Sequence, residues 1–346
     1  MTEQTTPRTN RTVLVLLDTP ATELRSSALE LLTIARGLGR VEAVTLEAPS
    51  VPTLAQLSAY GVEIVLQAEL PAAVRGGDDA HLSPVVAEAL AAALRLRDAD
   101  AVILSATFAN KEAAARLAHL TGAGLVIDAT SVTESAEPGP ELADAPPAGS
   151  LVAGKRVFAG SWDTSCVVRT ETAVFTVRPN SIVPEPAPVA VATEVEGFAV
   201  EVSELATVAR SVSREVHERA VGGRPSLAEA AVVVAGGRGT DGDFGPVEDL
   251  ADALGAAVGA SRDAVYEGWF DEFVGQTGVT VAPRLYIGAG ISGAPHHRGG
   301  MQASQVIVAV NSDPECPLFE ISDFAVVGDL ADVLPQAAQV IREHKG

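Results

Sequence analysis

Cysteine is nearly absent. The 346 residues include two, Cys166 and Cys316, too few and too far apart for a disulfide framework or a zinc ligand set. Their scarcity fits a reducing compartment, and the expected location is cytoplasmic. Aromatic residues make up 4% of the chain. The interior must therefore be built from Ala, Val, Leu and Ile, which favours parallel strands buried on both faces beneath helices. Positive charge is scarce too: 24 Lys and Arg stand against 45 Asp and Glu, for a net charge of -21. Such a polyanion is repelled by nucleic acid and by anionic lipid, so no nucleic-acid partner is expected and any anionic ligand must be held by local features. No uncharged apolar run reaches the length of a bilayer crossing. The opening MTEQTTPRTN lacks the apolar core of a secretory signal.

What is present is a rhythm. TVLVLL (12–17) reads as a buried strand. Residues 22–38 place Leu24, Ala28, Leu31, Leu32, Ala35 and Leu38 on one helical face, with Gly39 as the stop. VEAVTLE, TLAQLSAY and VEIVLQA follow as strand, helix and strand. Then come a helix over 84–97, the strand AVILSAT, a helix capped by Asn110 and ending near Gly122, and the strand GLVIDAT. Alternation of this kind implies a parallel sheet with right-handed crossovers. Residues 131–149 read as an acidic, Pro- and Gly-containing loop. RVFAGSWDTSCVVRTETAVFTVRPN alternates and predicts antiparallel strands. Residues 183–197, with three prolines, read as a linker or an extended crossing segment. A second alternating series begins with a helix over 205–220. Strands follow at 230–237, 284–290, 305–311 and 324–329, and the chain closes on a helix with Pro335 near its first turn. The expected fold class is α/β with two domains, each a largely parallel sheet flanked by helices. The boundaries are an N-terminal domain over 1–190, a linker over 191–206 and a C-terminal domain over 207–346.

Candidate chemistry gathers in the second series. Gly237-Arg238-Gly239-Thr240-Asp241-Gly242 follows a strand as a GxGxxG pattern, whose amides can approach a pyrophosphate. Asp241 and Asp243 oppose that reading, and a plain glycine-rich turn is the competing one. Ser261 can cap a helix, placing Arg262 as a fixed cation in a strand-to-helix turn; alone, Arg262 would read as an ordinary surface arginine. Gly275-Gln276-Thr277-Gly278 exposes backbone, an amide and a hydroxyl, although a simple hairpin turn explains it equally. LYIGAGISGAPHHRGG (285–300) sets a strand, a glycine turn with Ser292, and a helix start with His296 and His297 in succession. This is an anion-site pattern. Adjacent histidines point in different directions on a helix and no Cys or carboxylate beside them completes a ligand set, so no metal is expected. Asn311 and Asp329 end later strands. In an open α/β sheet ligands gather at such carboxyl ends, and five candidate loops fall on one edge.

The chain from 207 to 346 resembles the α subunit of electron transfer flavoproteins. The resemblance rests on GGRG, AAVGASR, VGQTG, LYIGAGISGAPHH with IVAVN, DPECPLFEISDF and VGDL, in that family's order, and extends more weakly through SATFANKEAAARLA. It implies a C-terminal domain of the DHS-like NAD/FAD-binding type that binds FAD, and an N-terminal scaffold packing on a β subunit, with AMP in that subunit. By the same resemblance, Arg238 lies by the flavin and the partner face, Arg262 over the ring and His297 near its O2 edge. Ser261 and the segment Val274, Gly275, Gln276 and Thr277 contact the cofactor, with Thr277 bonded to N5. Ser292, Gly293, Ala294, Pro295, His296 and His297 wrap the ribityl and pyrophosphate. Asn311, Asp329 and Leu330 hold the adenosine end. Reduction places negative charge on the N1–C2=O2 side, and each 1.4 kcal/mol of stabilisation there is worth about 60 mV in a one-electron step. Val279, Pro295, His296 and Arg298 depart from the family's pattern, removing a rim cation and an amide contact.

The function implied is an electron carrier without substrate turnover of its own. As half of a heterodimer, it would take electrons from acyl-CoA and related dehydrogenases and pass them to a membrane quinone reductase. The alternatives are an NAD-dependent oxidoreductase using the Gly237–Gly242 turn, with Asp263 near the spacing of a ribose-binding acid, and an adenine-nucleotide sensor without redox chemistry.

Overall fold

The computed structural model describes residues 11–72, 74, 78–135, 148–158, 160–213 and 223–345. The chain divides into two compact units, Met1–Lys155 with Thr164–His217, and Arg156–Asp163 with Glu218–Gly346.

The first unit opens with the expected alternation: β1 (Thr12–Leu16), α1 (Ser26–Leu38), β2 (Arg40–Thr45), α2 (Val51–Ala59), β3 (Ile64–Glu69), α3 (Ser83–Arg97), β4 (Ala101–Ser105), α4 (Phe108–Thr121) and β5 (Gly124–Ala129). β6 (Ser131–Glu134), β7 (Leu151–Val157) and β8 (Trp162–Val167) form a small three-stranded sheet. β9 (Ala173–Val177) and β10 (Glu194–Ala199) return to the main sheet. Its order is β10-β3-β2-β1-β4-β9-β5, and every pairing is parallel.

Strand residues alternate between two cores. Val13 and Val15 pack with Leu31, Leu32, Ala35 and Leu38 of α1, while Leu14 and Leu16 pack with Val86, Leu90 and Leu94 of α3 and Leu117 of α4. A strand with no polar face can sit only between two helical layers, so the low aromatic content and the parallel sheet have one origin.

Four expectations need correction here. β9 is not part of an antiparallel set: AVFTV is buried at all five positions and slots in parallel between β4 and β5. The supposed linker contains β10, which pairs with β3 from Glu194 to Ala199. Residues 131–134 form β6 instead of loop, while 136–147 lie outside the described residues. Asn110 does not cap α4. Thr107 does, its side chain accepting from the Asn110 N–H at 3.1 Å. The Asn110 amide is buried against Asp18 and Ser105 at the carboxyl ends of β1 and β4. Thr107→Ala should therefore cost the first unit about 1 kcal/mol in a urea titration, the ordinary worth of an N-cap.

The second unit runs β11 (Val232–Gly236), α5 (Gly245–Leu254), β12 (Ala257–Ala260), α6 (Arg262–Tyr266), β13 (Leu285–Ala289), α7 (Pro295–Met301), β14 (Val306–Asn311), β15 (Phe324–Val327) and α8 (Leu330–Lys345). A helix over 205–220 is not found in its described part, which has only a 3-10 turn at Leu205–Thr207; residues 214–222 are outside the description. Pro335 lies inside α8, just beyond the first turn. The sheet order is β12-β11-β13-β14-β15, all parallel. Here too the faces alternate. Val234, Ile287 and Val310 pack with α5 and α8, and Val233, Tyr286 and Ile307 pack with Ile291, Met301 and Leu318. Strand order reverses between β11 and β13. At such a switch point the loops leave in opposite directions, and a crevice opens beyond the carboxyl ends.

Candidate functional site

Three loops build that crevice. The first leaves β11 at Gly236 and makes a 3-10 turn over Arg238–Thr240, with Asp241 and Gly242 at φ +48° and +88°. Four of its amides are already committed: Gly237 donates to the Ala289 carbonyl and Gly239 to the Gly290 carbonyl, each at 3.0 Å, while Thr240 and Asp241 close the turn on Gly237 and Arg238. A dinucleotide turn needs such donors free for the pyrophosphate, so this glycine run serves to bring two loops together. A Cβ on Gly239 would lie 2.7 Å from Gly290 Cα; only glycine permits the approach.

The second loop leaves β13. Gly290 and Gly293 take φ of +62° and +81°, a left-handed geometry that glycine adopts without strain, and they turn the chain into α7. Among the described residues, no hydrogen bond takes up the amides of Ser292, Gly293, Ala294 or His296. The third loop, Phe273–Val279, is a tight turn closed by a bridge between Val274 and Val279. It is tied to α7 by Gln276 N–H donating to the His296 carbonyl and Val281 N–H donating to the Gly300 carbonyl, each at 2.8 Å.

Between these loops lies a cavity of about 570 Å³, within the size range of small-molecule and cofactor sites. Arg238, Ser261, Arg262, Val274, Gly275, Ser292, Ala294, His296, His297, Asn311, Asp329 and Leu330 line it. Gln276, Thr277, Gly293 and Pro295 do not; Gln276, Gly293 and Pro295 each adjoin a lining residue, and Thr277 lies two residues from Gly275. Sequence reasoning passed over Phe273, Gly290, Asp313 and Cys316, which also line the cavity. The signal for Gly290 was present, since it follows the last residue of a buried strand. Cys316 carried no signal; it is buried, with Sγ 3.3 Å from the Ile291 carbonyl.

Several lining side chains have structural partners. Ser261 caps α6, accepting from the Ala264 N–H at 3.3 Å. Asn311 donates to the Ile291 carbonyl at 3.2 Å and accepts from the Asp313 N–H at 3.0 Å, so both ends of its amide hold loops. Asp329 caps α8 through the Ala331 N–H at 2.9 Å. Arg238 pairs with Asp263 at 3.3 Å, both exposed. The Arg262 guanidinium lies 5.7 Å from the Tyr266 ring centre, a cation–π contact. His296 Nδ1 faces Gln276 Oε1 at 3.4 Å, and Arg298 pairs with Glu320 at 3.0 Å.

His297 is different. It is 7% exposed, its Nε2 lies 2.8 Å from the Tyr286 hydroxyl, and its Nδ1 has no hydrogen-bond partner among the described residues. Burial pushes its pKa down to about 4, with a hydrogen-bonding contact to the Val274 backbone working the other way. At neutral pH the ring is uncharged. Arg262 and Arg238 are then the fixed positive groups of the lining. No cluster of three or more His, Cys, Asp or Glu able to hold a metal occurs among the described residues.

The residues fit a flavin dinucleotide. Unused backbone donors, a buried imidazole and two guanidinium groups line one crevice at a switch point. Residues 226–302 match the electron transfer flavoprotein FAD-binding domain, and residues 13–204 match the electron transfer flavoprotein domain. The chain is 41% identical over 342 residues to the electron transfer flavoprotein subunit alpha of Mycobacterium leprae, covering 96% of this chain and 99% of that one. It is 33% identical over 340 residues to the Bacillus subtilis protein of the same name, covering 96% and 97%. The FixB protein of Azotobacter vinelandii is 35% identical over 253 residues, covering 71% of this chain and 66% of that one. The chain belongs to the electron transfer flavoprotein α-subunit family, and its second unit carries that family's FAD-binding domain.

Proposed function

We propose that this chain is the FAD-holding half of a heterodimer that relays electrons from acyl-CoA and related dehydrogenases to a membrane quinone reductase. It would turn over no substrate of its own and act in the cytoplasm. No described helix is long and apolar enough to cross a membrane, in keeping with a carrier that visits a membrane acceptor. In this reading the first unit, with the segment through residue 206, is the scaffold for a β subunit that itself holds AMP, and 207–346 is the cofactor domain. The observation that carries the reading is the cavity at the β11/β13 switch point, where free amides and the His297 nitrogen meet.

The flavin supplies the redox chemistry; the chain binds, orients and tunes it. Ser292, Ala294 and His296 offer backbone donors to phosphate oxygens. Arg238 and Arg262 oppose the chain's negative field where negative charge must sit. Gln276, beside the lining residue Gly275, and Thr277 after it would meet the cofactor's edge, Gly293 and Pro295 set the path of the backbone, and Asn311, Asp329 and Leu330 would hold the far end. The NAD-linked alternative loses its main support, because the Gly237, Gly239, Thr240 and Asp241 amides bond to protein carbonyls.

Co-expression with a β subunit tests this reading. The purified complex should be yellow, carry one FAD, and bleach when an acyl-CoA dehydrogenase and its substrate are added. A colourless complex reduced only by NADH would contradict it. Arg262→Gln should keep FAD bound but lower the flavin potential by about 60 mV, the equivalent of one tenfold step in a one-electron equilibrium, as measured by spectroelectrochemistry.

A further inference from the structure

We infer that Tyr286 is a positioning residue for the cofactor site: its phenol holds His297 in the tautomer protonated on Nδ1, so that the ring offers the bound flavin a hydrogen-bond donor and no charge. The inference rests on the flavin reading for the identity of the acceptor, but the tautomer itself does not depend on it.

Tyr286 is the second residue of β13 and is 0% exposed, packed among Val233, Ile307, Leu318 and Met301. A buried hydroxyl must spend its proton on an acceptor or leave a desolvated donor unpaired. The one side-chain or backbone partner of the Tyr286 oxygen among the described residues is His297 Nε2, at 2.8 Å. The phenol is therefore the donor and Nε2 the acceptor. A nitrogen that accepts carries no proton, which excludes the doubly protonated ring and leaves the neutral form with its proton on Nδ1. No carboxylate is among the hydrogen-bond or ring partners of His297 to sustain an imidazolium.

Nδ1–H is then the unused donor. His297 lines the cavity and is more than nine-tenths buried; its Nδ1 makes no hydrogen bond of ordinary geometry among the described residues, with only a loose contact between the ring and the Val274 backbone. Gly290 and Gly293, with their left-handed backbones, fold α7 back over β13 and bring the ring to the phenol eleven residues away. The tyrosine thus acts at the cofactor through the histidine, from the opposite side of the imidazole.

The test uses the full-length chain co-expressed with a β subunit and labelled with 15N-histidine, the His297 resonances being assigned by their loss in His297→Gln. At pH 7 the wild type should show a pyridine-type Nε2 and a protonated Nδ1, and this is readable with or without bound FAD. Tyr286→Phe keeps the ring but removes the donor. It should move the Nε2 resonance toward the protonated type and weaken FAD binding about three- to tenfold, up to the worth of one hydrogen bond. Far-UV circular dichroism should be unchanged. A wild-type ring protonated on Nε2, or on both nitrogens, overturns the proposal, as does a Tyr286→Phe spectrum identical to wild type. A wild-type complex showing the expected tautomer but no affinity for FAD would refute the flavin reading and leave the Tyr286–His297 arrangement standing.

Discussion

Gly300→Ala should strip the chain of most of its FAD. Gly300 sits in α7, against the Phe273–Val279 turn, and a Cβ there would lie 2.5 Å from the N and C atoms of Gly275 and closer still to its Cα. Carbon atoms pack at about 3.5–4.0 Å, so helix and turn must separate by roughly 1 Å or more. Backbone cannot swing aside as a side chain can. Separation breaks the bonds from Gln276 to His296 and from Val281 to Gly300, and it moves Val274, Gly275, His296 and His297 relative to one another on the cavity wall. Overpacking of this kind costs about 1–3 kcal/mol of stability. We expect that loss in thermal unfolding, together with a FAD dissociation constant raised about a hundredfold, equivalent to roughly 2.7 kcal/mol. The adjacent glycine is the control. A Cβ on Gly299 meets nothing closer than 3.5 Å, and alanine is the better helix former. Gly299→Ala should leave FAD binding unchanged and stability equal or slightly higher. If Gly300→Ala binds FAD like wild type, the contact between α7 and the turn does not shape the site.

The second large effect is on acid stability. His297 has its pKa lowered from 6.5 to about 4 by burial. Below pH 6.5 the unfolded chain takes up a proton that the folded chain refuses, so stability falls as the solution is acidified from 6.5 toward 4. At 1.36 kcal/mol per unit the loss from this one group approaches roughly 3 kcal/mol. The carboxylates act at the acid end of this range. Asp249 is held below its usual range by its hydrogen bond to Arg342, and Asp252 by its bond to Arg224. Their contributions are present above the ordinary carboxylate value and disappear as pH falls through their lowered ones. Urea titrations between pH 7 and 4 should thus show the second unit weakening well before its carboxylates protonate. His297→Gln should flatten that segment of the profile while leaving the more acidic one. A wild-type profile that is flat from 6.5 to 4.5 would mean that His297 is hydrated or charged in the folded chain.

Much of the fold was legible because composition and pattern agreed. TVLVL, AVILS and VVVAG have no polar face, so they had to be covered on both sides, and the helices between them were amphipathic. Reading failed where the same residues fit two topologies. AVFTV alternates no more than a buried parallel strand does, and its place between β4 and β5 is decided by partners distant in sequence. EVEGFA reads as linker because it follows a Pro-rich stretch with no period, yet an edge strand, exposed at most positions, needs only its backbone to pair. Asn110 has a capping side chain, but Thr107 three residues earlier takes the cap and frees Asn110 for Asp18 and Ser105.

The site was legible as loops on one carboxyl edge, because Gly, Ser and His after buried strands mark turns at a switch point. Its electrostatics were not. Residue type leaves His297 open as a cation or a neutral donor, and its burial against Tyr286, on a strand where tyrosine reads as core, makes it neutral. The use of the Gly237 and Gly239 amides was equally hidden, since their partners Ala289 and Gly290 lie some fifty residues away.

The most direct test of the account counts flavin in two variants of the co-expressed complex. Each alters one switch point: Gly239→Val at β11/β13 in the second unit, and Ser105→Ala at the carboxyl end of β4 in the first. The account predicts that Gly239→Val purifies with little FAD, while Ser105→Ala keeps one FAD per complex by absorbance after denaturation. Full flavin content in Gly239→Val, or its loss in Ser105→Ala alone, would place the cofactor elsewhere and contradict the central claim.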